Sequence, residues 1–460
     1  MLMKKRMQLE DSIKTRFSEI VSCLVCVLIT VLITVMLPVS EAIGIAALCV
    51  LFFLLICFVF WQPNKELRKI LIIAFLLRAT LALIHVFVVP LPDSQADAVR
   101  FERVGWELAQ GWAAGAPFEF ITGAYLYSWF IGIVYFVIDR SPLLIQALNV
   151  FLGTLIIYIS ASVSRELFDS RTSTFVAWIA CLFPALLLYS AITMREVAVV
   201  FTFALGILFF VQWLKKDQFH FLVKSMLFIL VSGLFHTGML FLLAVLLVFW
   251  CNRMLGAFLR LRMGSFTIKI LASLIIISLV AFPLVTGAGM EKIGDLSRLI
   301  DPEYLGDRHE IQARDRAAYL TNLNISSYAD LIYAVPLKTI YFLFAPFPWN
   351  VKAPIDFIGM ADGLFYLCLV LSALYGFKEI RRQHGKFVFW GLAVLLLAGI
   401  VVFAMGTGNY GTALRHRTKF AFLLIVIAGP VVQKLWYLTF GRIRIRKTYT
   451  GSLQTNVERE

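Results

Sequence analysis

Ile70-Leu-Ile-Ile-Ala-Phe-Leu-Leu-Arg-Ala-Thr-Leu-Ala-Leu-Ile-His-Val-Phe-Val-Val89 is an apolar run in which only Arg78, Thr80 and His85 carry polar side chains. It is as long as the roughly 20 residues an α-helix needs to cross a bilayer. The run empties into Pro90-Leu-Pro-Asp-Ser-Gln-Ala-Asp-Ala-Val-Arg-Phe-Glu102, which sets Asp93, Asp97 and Glu102 at the mouth of the span. Carboxylates at a membrane boundary are costly to bury unpaired, so they usually mark a watered functional site. If residues 93–102 are helical, Asp93 and Asp97 are four apart and share a face, with Arg100 and Arg103 close by. Crowded carboxylates beside a low-dielectric boundary raise one pKa, which suits a general base. The blander alternative is a solvated interfacial loop in which Pro92-Asp93-Ser94 simply starts a helix. Within the span, Arg78 and His85 lie seven apart on one face. An arginine at that depth must pair or face water, so Arg78 is a candidate to line the same cavity.

The remainder of the chain repeats this apolar pattern. Of 460 residues, 60% are hydrophobic and 15% charged, against roughly 25% charged in soluble domains. Mean hydropathy is +0.85. Continuous rather than alternating apolar runs exclude an outer-membrane barrel. Candidate spans cover residues 19–38, 42–61, 70–90, 121–138, 143–163, 173–193, 197–214, 221–235, 239–251, 270–286, 331–346, 359–377, 387–405 and 418–438. The fold class expected is all-α, a polytopic transmembrane bundle of about 11–14 hydrophobic segments, some re-entrant, with an external acidic loop and interfacial helices. Residues 1–66 read as a cytoplasmic tail plus an added hairpin, 67–440 as the membrane domain and 441–460 as a basic cytoplasmic tail. The polar stretch before Ile20 and the lack of a small-residue cleavage site point to an uncleaved first span rather than a signal peptide.

The net charge of +14 is concentrated in short clusters at Lys4–Arg6, Lys65–Lys69, Arg253–Lys269, Lys378–Lys386 and Arg442–Lys447. Interleaved with apolar spans, these read as cytoplasmic loops and tails. No soluble domain carries a basic face, so nucleic acid is not an expected partner; membrane lipids are. Six of the seven Cys residues fall in apolar runs and Cys251 ends one, which gives buried thiols and no disulfide framework. Strict alternation of the spans would put Arg165–Arg171 and Lys215-Lys216 outside. The conflict resolves if segments 121–138 and 331–346 do not fully cross; Pro336, Pro346 and Pro348 break the second. The external face then gathers Asp93–Glu102, Arg195-Glu196, His236, loop 287–330 and Gly406–Arg417.

In that arrangement Asn409-Tyr-Gly-Thr-Ala-Leu-Arg-His-Arg417 places Arg415, His416 and Arg417 outside, against the positive-inside trend. A guanidinium grips phosphate with a charged, bidentate fork, and Gly406, Gly408 and Gly411 allow close backbone approach. The competing reading is side chains reaching for the headgroup region at a span end. Arg195-Glu196 interrupts a long apolar stretch and is either a turn between spans or part of a cavity. His236, alone between apolar runs, is commonly a hydrogen-bonded structural residue. The polar loop 287–330, with Asp301, Arg308, His309, Arg314, Asp315 and Arg316, has the length of a lid or binding loop. It leads into the aromatic segment Tyr341–Trp349, suited to the membrane interface. A sequon at Asn324-Ile-Ser326 is a weak signal. Walker, dinucleotide, HExxH and Cys/His metal patterns are absent from the sequence. That removes an ATP-driven pump and a zincin. No cofactor is implied, and a divalent metal stays open.

Residues 93–213 resemble the multi-spanning GT-C glycosyltransferases, which use polyprenyl-phosphate sugar donors. The resemblance is carried by the acidic loop after a span, then Tyr125-Leu-Tyr-Ser-Trp-Phe-Ile-Gly-Ile-Val-Tyr135 and Arg140-Ser-Pro-Leu-Leu-Ile-Gln-Ala-Leu-Asn-Val150. Ser164-Arg-Glu-Leu-Phe-Asp-Ser-Arg171 and Phe183-Pro-Ala-Leu-Leu-Leu-Tyr-Ser190 complete it. It implies Asp93 as the base or acceptor-positioning carboxylate, Asp97 as second candidate, and Arg415 and Arg417 as a late cationic group for the carrier phosphate. The chain departs from that pattern in lacking an Asp-Glu pair in the first loop and a large soluble C-terminal domain. A neighbouring class, the Wzy-like O-antigen polymerases, shares the external arginine-rich loops.

The function expected is transfer of a sugar from a polyprenyl-linked donor to a glycan or lipid acceptor, at the external face of a bacterial cytoplasmic membrane. Asp93 and Asp97 are the catalytic candidates. Arg415, His416, Arg417, Arg195, Glu196, Glu102, His236 and Arg78 are the substrate-binding candidates, with polysaccharide-assembly machinery as a further partner. The alternatives are polymerisation of diphosphate-linked oligosaccharides and lipid-sugar transport. Transport predicts duplicated halves with broken helices, and no duplication is present in the sequence.

Overall fold

The computed structural model describes residue 21 and residues 38–259, 301–313 and 316–441. The expected spans at 270–286 and, but for residues 21 and 38, at 19–38 lie outside these residues, as do Arg314, Asp315 and most of the basic tail. Among the described residues the chain is helical, with a single isolated β-bridge between Ala318 and Asn409. Among the described residues, seven helices are long and apolar enough to cross a membrane. They become up to eight if the bent pair Ser170–Leu182 and Pro184–Ala191, 55° apart, counts as one span. The chain divides into two compact units.

The first unit comprises the described residues of Met1–Phe120, with Tyr127–Thr154 and Leu187–Met194. It begins with α1 (Val39–Phe60) and α2 (Lys65–Phe87). Asn64 starts α2 by accepting from the backbone N–H groups of Glu66 and Leu67, at 3.0 and 3.2 Å. Leu67, Ile70, Leu71, Ala74, Phe75 and Arg78 form its buried face at helical spacing. α3 (Ala96–Ala113) is amphipathic: Ala98, Phe101, Glu102, Gly105, Ala109 and Trp112 are buried. Val99, Arg100, Arg103, Glu107 and Gln110 are exposed on the other side. α4 (Leu126–Val137) is short and apolar. α5 (Pro142–Leu167) has its first half in this unit.

The second unit holds Ile121–Leu126, Leu155–Leu186 and the described residues from Arg195 onward. It contains α6 (Ser170–Leu182), which Asp169 caps by accepting from the Thr172 N–H at 2.6 Å, and the start of α7 (Pro184–Ala191). α8 (Glu196–Lys216) turns through Asp217, which adopts a left-handed conformation, and packs antiparallel on α9 (Phe219–Phe235). Ser225 and Ser232 donate across that pair to the carbonyls of Gly206 and Val199, at 2.8 and 3.0 Å. α10 (Phe241–Leu259), α11 (Pro302–Gln312) and α12 (Tyr328–Phe344) follow.

α13 (Ile355–Met405) would be about 75 Å long if straight, more than twice a ~30 Å hydrocarbon core. It breaks at Gly385, where φ 84° and ψ −178° suit glycine alone. The two spans expected at 359–377 and 387–405 correspond to its two parts. α14 (Tyr410–Trp436) is buried on all sides from Arg417 to Gly429, which makes it the centre of this unit.

Candidate functional site

Asp93 lies before α3, not within it. Its backbone is left-handed (φ 60°), a conformation that short polar residues tolerate best after glycine. α3 starts at Ala96 with Gln95 as N-cap and no side-chain cap bond. The expected face shared by Asp93 and Asp97 is therefore replaced by a turn residue and a first-turn helix residue, and Asp93 is not the helix cap either. The Asp93 carboxylate is exposed, and its Oδ2 accepts a hydrogen bond from the Tyr189 hydroxyl at 3.0 Å. Tyr189, on α7, is itself buried.

In the same unit Arg78 is fully buried on α2 and donates to the Ala74 carbonyl at 3.2 Å. Glu102 turns inward and meets the Arg140 guanidinium in a two-pronged pair at 2.9 Å on each oxygen, while Tyr135 donates to the same carboxylate at 3.1 Å. That pairing holds the Arg140 pKa above its ordinary value. Glu102 therefore ties α3 to α4 and the turn before α5. Asn149 donates from its side-chain nitrogen to the Tyr127 hydroxyl and the Ile192 carbonyl, at 2.8 and 2.7 Å, fixing the turn after α7.

The second unit places the cationic candidates differently from the expectation. Asn409 caps α14, accepting from the Gly411 and Thr412 N–H groups. Residues 410–417 are thus helix rather than loop, and each residue advances about 100° around its axis. Arg415 and Arg417 consequently point to different sides. Arg417 is completely buried and spends all five donors inside the protein. Nε and Nη2 bind Asp362 Oδ2 at 2.9 and 2.6 Å, Nη1 binds the Leu343 and Ala345 carbonyls at 2.8 and 2.9 Å, and Nη2 also reaches the Gly359 carbonyl at 3.4 Å. Tyr366 stacks 4.9 Å from its guanidinium. With no donor left for a phosphate, the expectation for Arg417 is overturned. It is a structural hub that joins α12, α13 and α14.

Arg415 faces Glu196 instead, with Nε 3.6 Å from Oε1. Lys419, one helical turn further along α14 and fully buried, reaches the same oxygen at 3.4 Å. Arg195 lies in electrostatic reach of Glu196 and of His236 and His416, and donates to the Phe235 carbonyl at 3.2 Å. The rings of His236 and His416 stand 5.0 Å apart at 90°, and both pack on Phe403. Among the described residues, Glu196 Oε2, His236 Nδ1 and His416 Nδ1 are buried without a hydrogen-bond partner, a circumstance that folded proteins rarely leave in place without a reason. Five residues expected separately (Arg195, Glu196, His236, Arg415 and His416) thus form one cluster. Lys419 was missed, although its spacing of four from Arg415 is the helical signal for a shared face. Asp362 was missed too, although a carboxylate inside an apolar span is itself a flag. Among the described residues no group of three or more His, Cys, Asp or Glu side chains is placed to hold a metal ion.

Long apolar helices, positive clusters between them and polar side chains gathered inside define a polytopic α-helical membrane protein. No protein-family model matches the chain, and no curated protein sequence matches it. Solved structures similar to it include the oligosaccharyltransferase of the archaeon Archaeoglobus fulgidus in its apo form. That match has 13% identity and a TM-score of 0.48, and covers 86% of this chain and 53% of that one. Another is the archaeal oligosaccharyltransferase AglB of the same organism, in complex with an inhibitory peptide and a dolichol-phosphate. It has 13% identity and a TM-score of 0.49, and covers 84% and 52%. The chain spans about half the length of these structures.

Proposed function

We propose that this chain is an integral-membrane glycosyltransferase that takes its sugar from a polyprenyl-phosphate donor at the external face of the cytoplasmic membrane. The observation that carries the reading is the second unit's cluster, in which Arg195, Arg415 and Lys419 surround a single carboxylate, Glu196, beside two histidines with unpartnered ring nitrogens. A mostly cationic, largely water-excluded group of this kind is built for an anion. When the bond between the sugar's anomeric carbon and the phosphate oxygen breaks, negative charge gathers on the departing phosphate. Guanidinium, ammonium and imidazole N–H groups already held in place stabilise that charge without reorganising.

The acceptor oxygen forms the new bond to the anomeric carbon and gives up its proton. Asp93 is assigned as the base, because it is exposed and its carboxylate is oriented by Tyr189. Asp97, half-buried in the first turn of α3, is the second candidate. Glu102 in the first unit and Arg417 in the second are given no part in the chemistry because each is already paired within its own unit.

The test is native mass spectrometry of the purified protein with a polyprenyl phosphate. Wild type should retain the lipid, and an Arg415→Ala, Lys419→Met double variant that still inserts should lose it. Equal retention by the two proteins would remove the phosphate site. Normal envelope glycan from cells carrying Asp93→Asn would remove the base.

A further inference from the structure

We propose that His309 is a pH-sensitive latch, which pins a strap made of α11 and residues 317–325 onto the start of α14 and releases it on acidification. All of its parts belong to the second unit, and it works whatever reaction the chain performs.

The strap falls in the polar stretch 287–330, whose length suits a lid. Its residues 317–320 pair with the turn before α14. The Tyr319 N–H donates to the Gly408 carbonyl at 3.1 Å, and the Tyr410 N–H donates to the Ala317 carbonyl at 2.9 Å. The Tyr319 hydroxyl donates to the Thr407 carbonyl at 3.2 Å. α11 presses on the same turn, since a Cβ at Gly408 would stand 2.9 Å from the Ala313 nitrogen. Gly306 likewise lets α11 lie against the Ile325 carbonyl.

His309 joins three segments. Its Nε2 lies 2.9 Å from the Leu320 carbonyl, and its Nδ1 lies 2.9 Å from Lys338 Nζ on α12. A carbonyl cannot donate, so Nε2 carries the hydrogen and Nδ1 accepts from Lys338, which makes the ring a neutral imidazole. Both side chains are buried, and among the described residues no carboxylate pairs with Lys338. The two facing nitrogens therefore share one proton and have no place for a second. A protonated ring would turn an N–H toward the Lys338 ammonium and set two positive charges together in a poorly screening medium. Burial, and then the Lys338 charge, accordingly hold the His309 pKa below its ordinary 6.5. The latch's contribution is present above 6.5 and is lost as pH falls through the lower folded value. Leu320 gives the strap a further reason to leave, because its backbone is left-handed (φ 54°), a conformation leucine rarely adopts.

The other ionisable groups about the latch belong to classes that ordinarily titrate outside the imidazole range. Asp362 of α13 and Arg417 of α14, which face this end of α12, are spent on each other. Arg316 pairs with Asp356 of α13 at 2.6 Å and donates to the Tyr410 hydroxyl of α14 at 3.3 Å. Tyr319 and Tyr341 lie ring against ring, 5.4 Å apart. On α11 itself, Asp307 and Glu310 are exposed and Arg308 lies over Tyr304. The strap therefore opens at its His309 end and stays tethered at Arg316.

The experiment is hydrogen–deuterium exchange of the purified full chain in detergent at about pH 8 and about pH 5, which bracket the imidazole titration. Each peptide's rate is divided by its intrinsic rate at that pH. In wild type, protection of 302–313 and 317–325 should fall about tenfold or more on acidification, while that of the α14 core holds. His309→Gln, whose amide donates to Leu320 and accepts from Lys338 without titrating, should stay protected at both pH values. Lys338→Met removes the opposing charge and should shrink the fall. No fall in wild type, or an equal fall in His309→Gln, would overturn the latch. A fall spread over the whole chain would also overturn it, because that is acid unfolding. If His309→Gln is open at both pH values, Lys338→Met decides: a smaller fall than in wild type upholds the latch, and an equal one overturns it.

Discussion

Replacing Arg417 should cost stability, where replacing Arg415 should cost binding. In Arg417→Met the methionine fills part of the space but makes none of the five hydrogen bonds, and Asp362, only 6% exposed, is left without its cation. Breaking a buried ion pair by removing one partner costs roughly 3–5 kcal/mol. The Leu343 and Ala345 carbonyls lose their donors as well, which adds about 1 kcal/mol each where water does not replace them. A loss of about 5 kcal/mol is expected, or roughly 10 °C at about 2 °C per kcal/mol in a chain of this size. The assay is thermal unfolding of the detergent-purified protein as a double-mutant cycle with Asp362→Asn. The double variant should recover about 2 kcal/mol or more, because it no longer buries a lone carboxylate. A loss below about 1 kcal/mol in the single variant, or additivity in the cycle, would refute the structural assignment of Arg417 and return it to the phosphate site.

Asp93→Asn should lower glycosyl transfer by about 10²–10⁴ with little change in unfolding temperature, since the side chain is exposed. Tyr189→Phe should retain transfer at a reduced rate, because the hydroxyl orients the Asp93 carboxylate; an unchanged rate would detach Tyr189 from the base. Arg140→Ala should destabilise the first unit by about 1–2 kcal/mol, less than a fully buried pair because Arg140 is 44% exposed. Asp169→Ala should cost about 1 kcal/mol as a lost helix cap. Burial raises the Asp169 pKa, but hydrogen bonds from Thr172 and Gln433 outweigh it and hold the group below its ordinary 3.8. The cap's contribution is therefore present above that value and fades as pH falls through the lower folded value, so the variant and wild type should converge in acid unfolding. Finally, a cysteine at the exposed Gly411 should react with an impermeant maleimide in intact cells, while one at Lys386 should react only after permeabilisation; the reverse pattern would invert the topology.

Much of the architecture was legible because bilayer crossing is a one-dimensional demand. Length and hydropathy alone placed the spans that became α1, α2, α5, α8 and the two parts of α13, whereas Pro336, expected to break its segment, lies inside the continuous helix α12. The candidate site was legible in residue type but not in grouping. Arg195, Glu196, His236 and Arg415 were each visible as polar interruptions of apolar runs, yet α8, the end of α9 and α14 lie far apart in the sequence and meet only through packing. Taking residues 406–417 for a loop hid both the phase that separates Arg415 from Arg417 and the turn that joins Arg415 to Lys419.

By itself the sequence determined that the chain crosses a membrane many times as helices, because no other structure satisfies the backbone of such long apolar runs in lipid. It also determined which few ionisable residues had to be explained. Tertiary structure alone decided which of them are occupied. Arg417 and Glu102 are consumed by Asp362 and Arg140, while Glu196 is shared loosely between Lys419 and Arg415. The physical reason is that a buried charge takes its role from the partners within a few ångströms of it, and those partners come from distant parts of the chain.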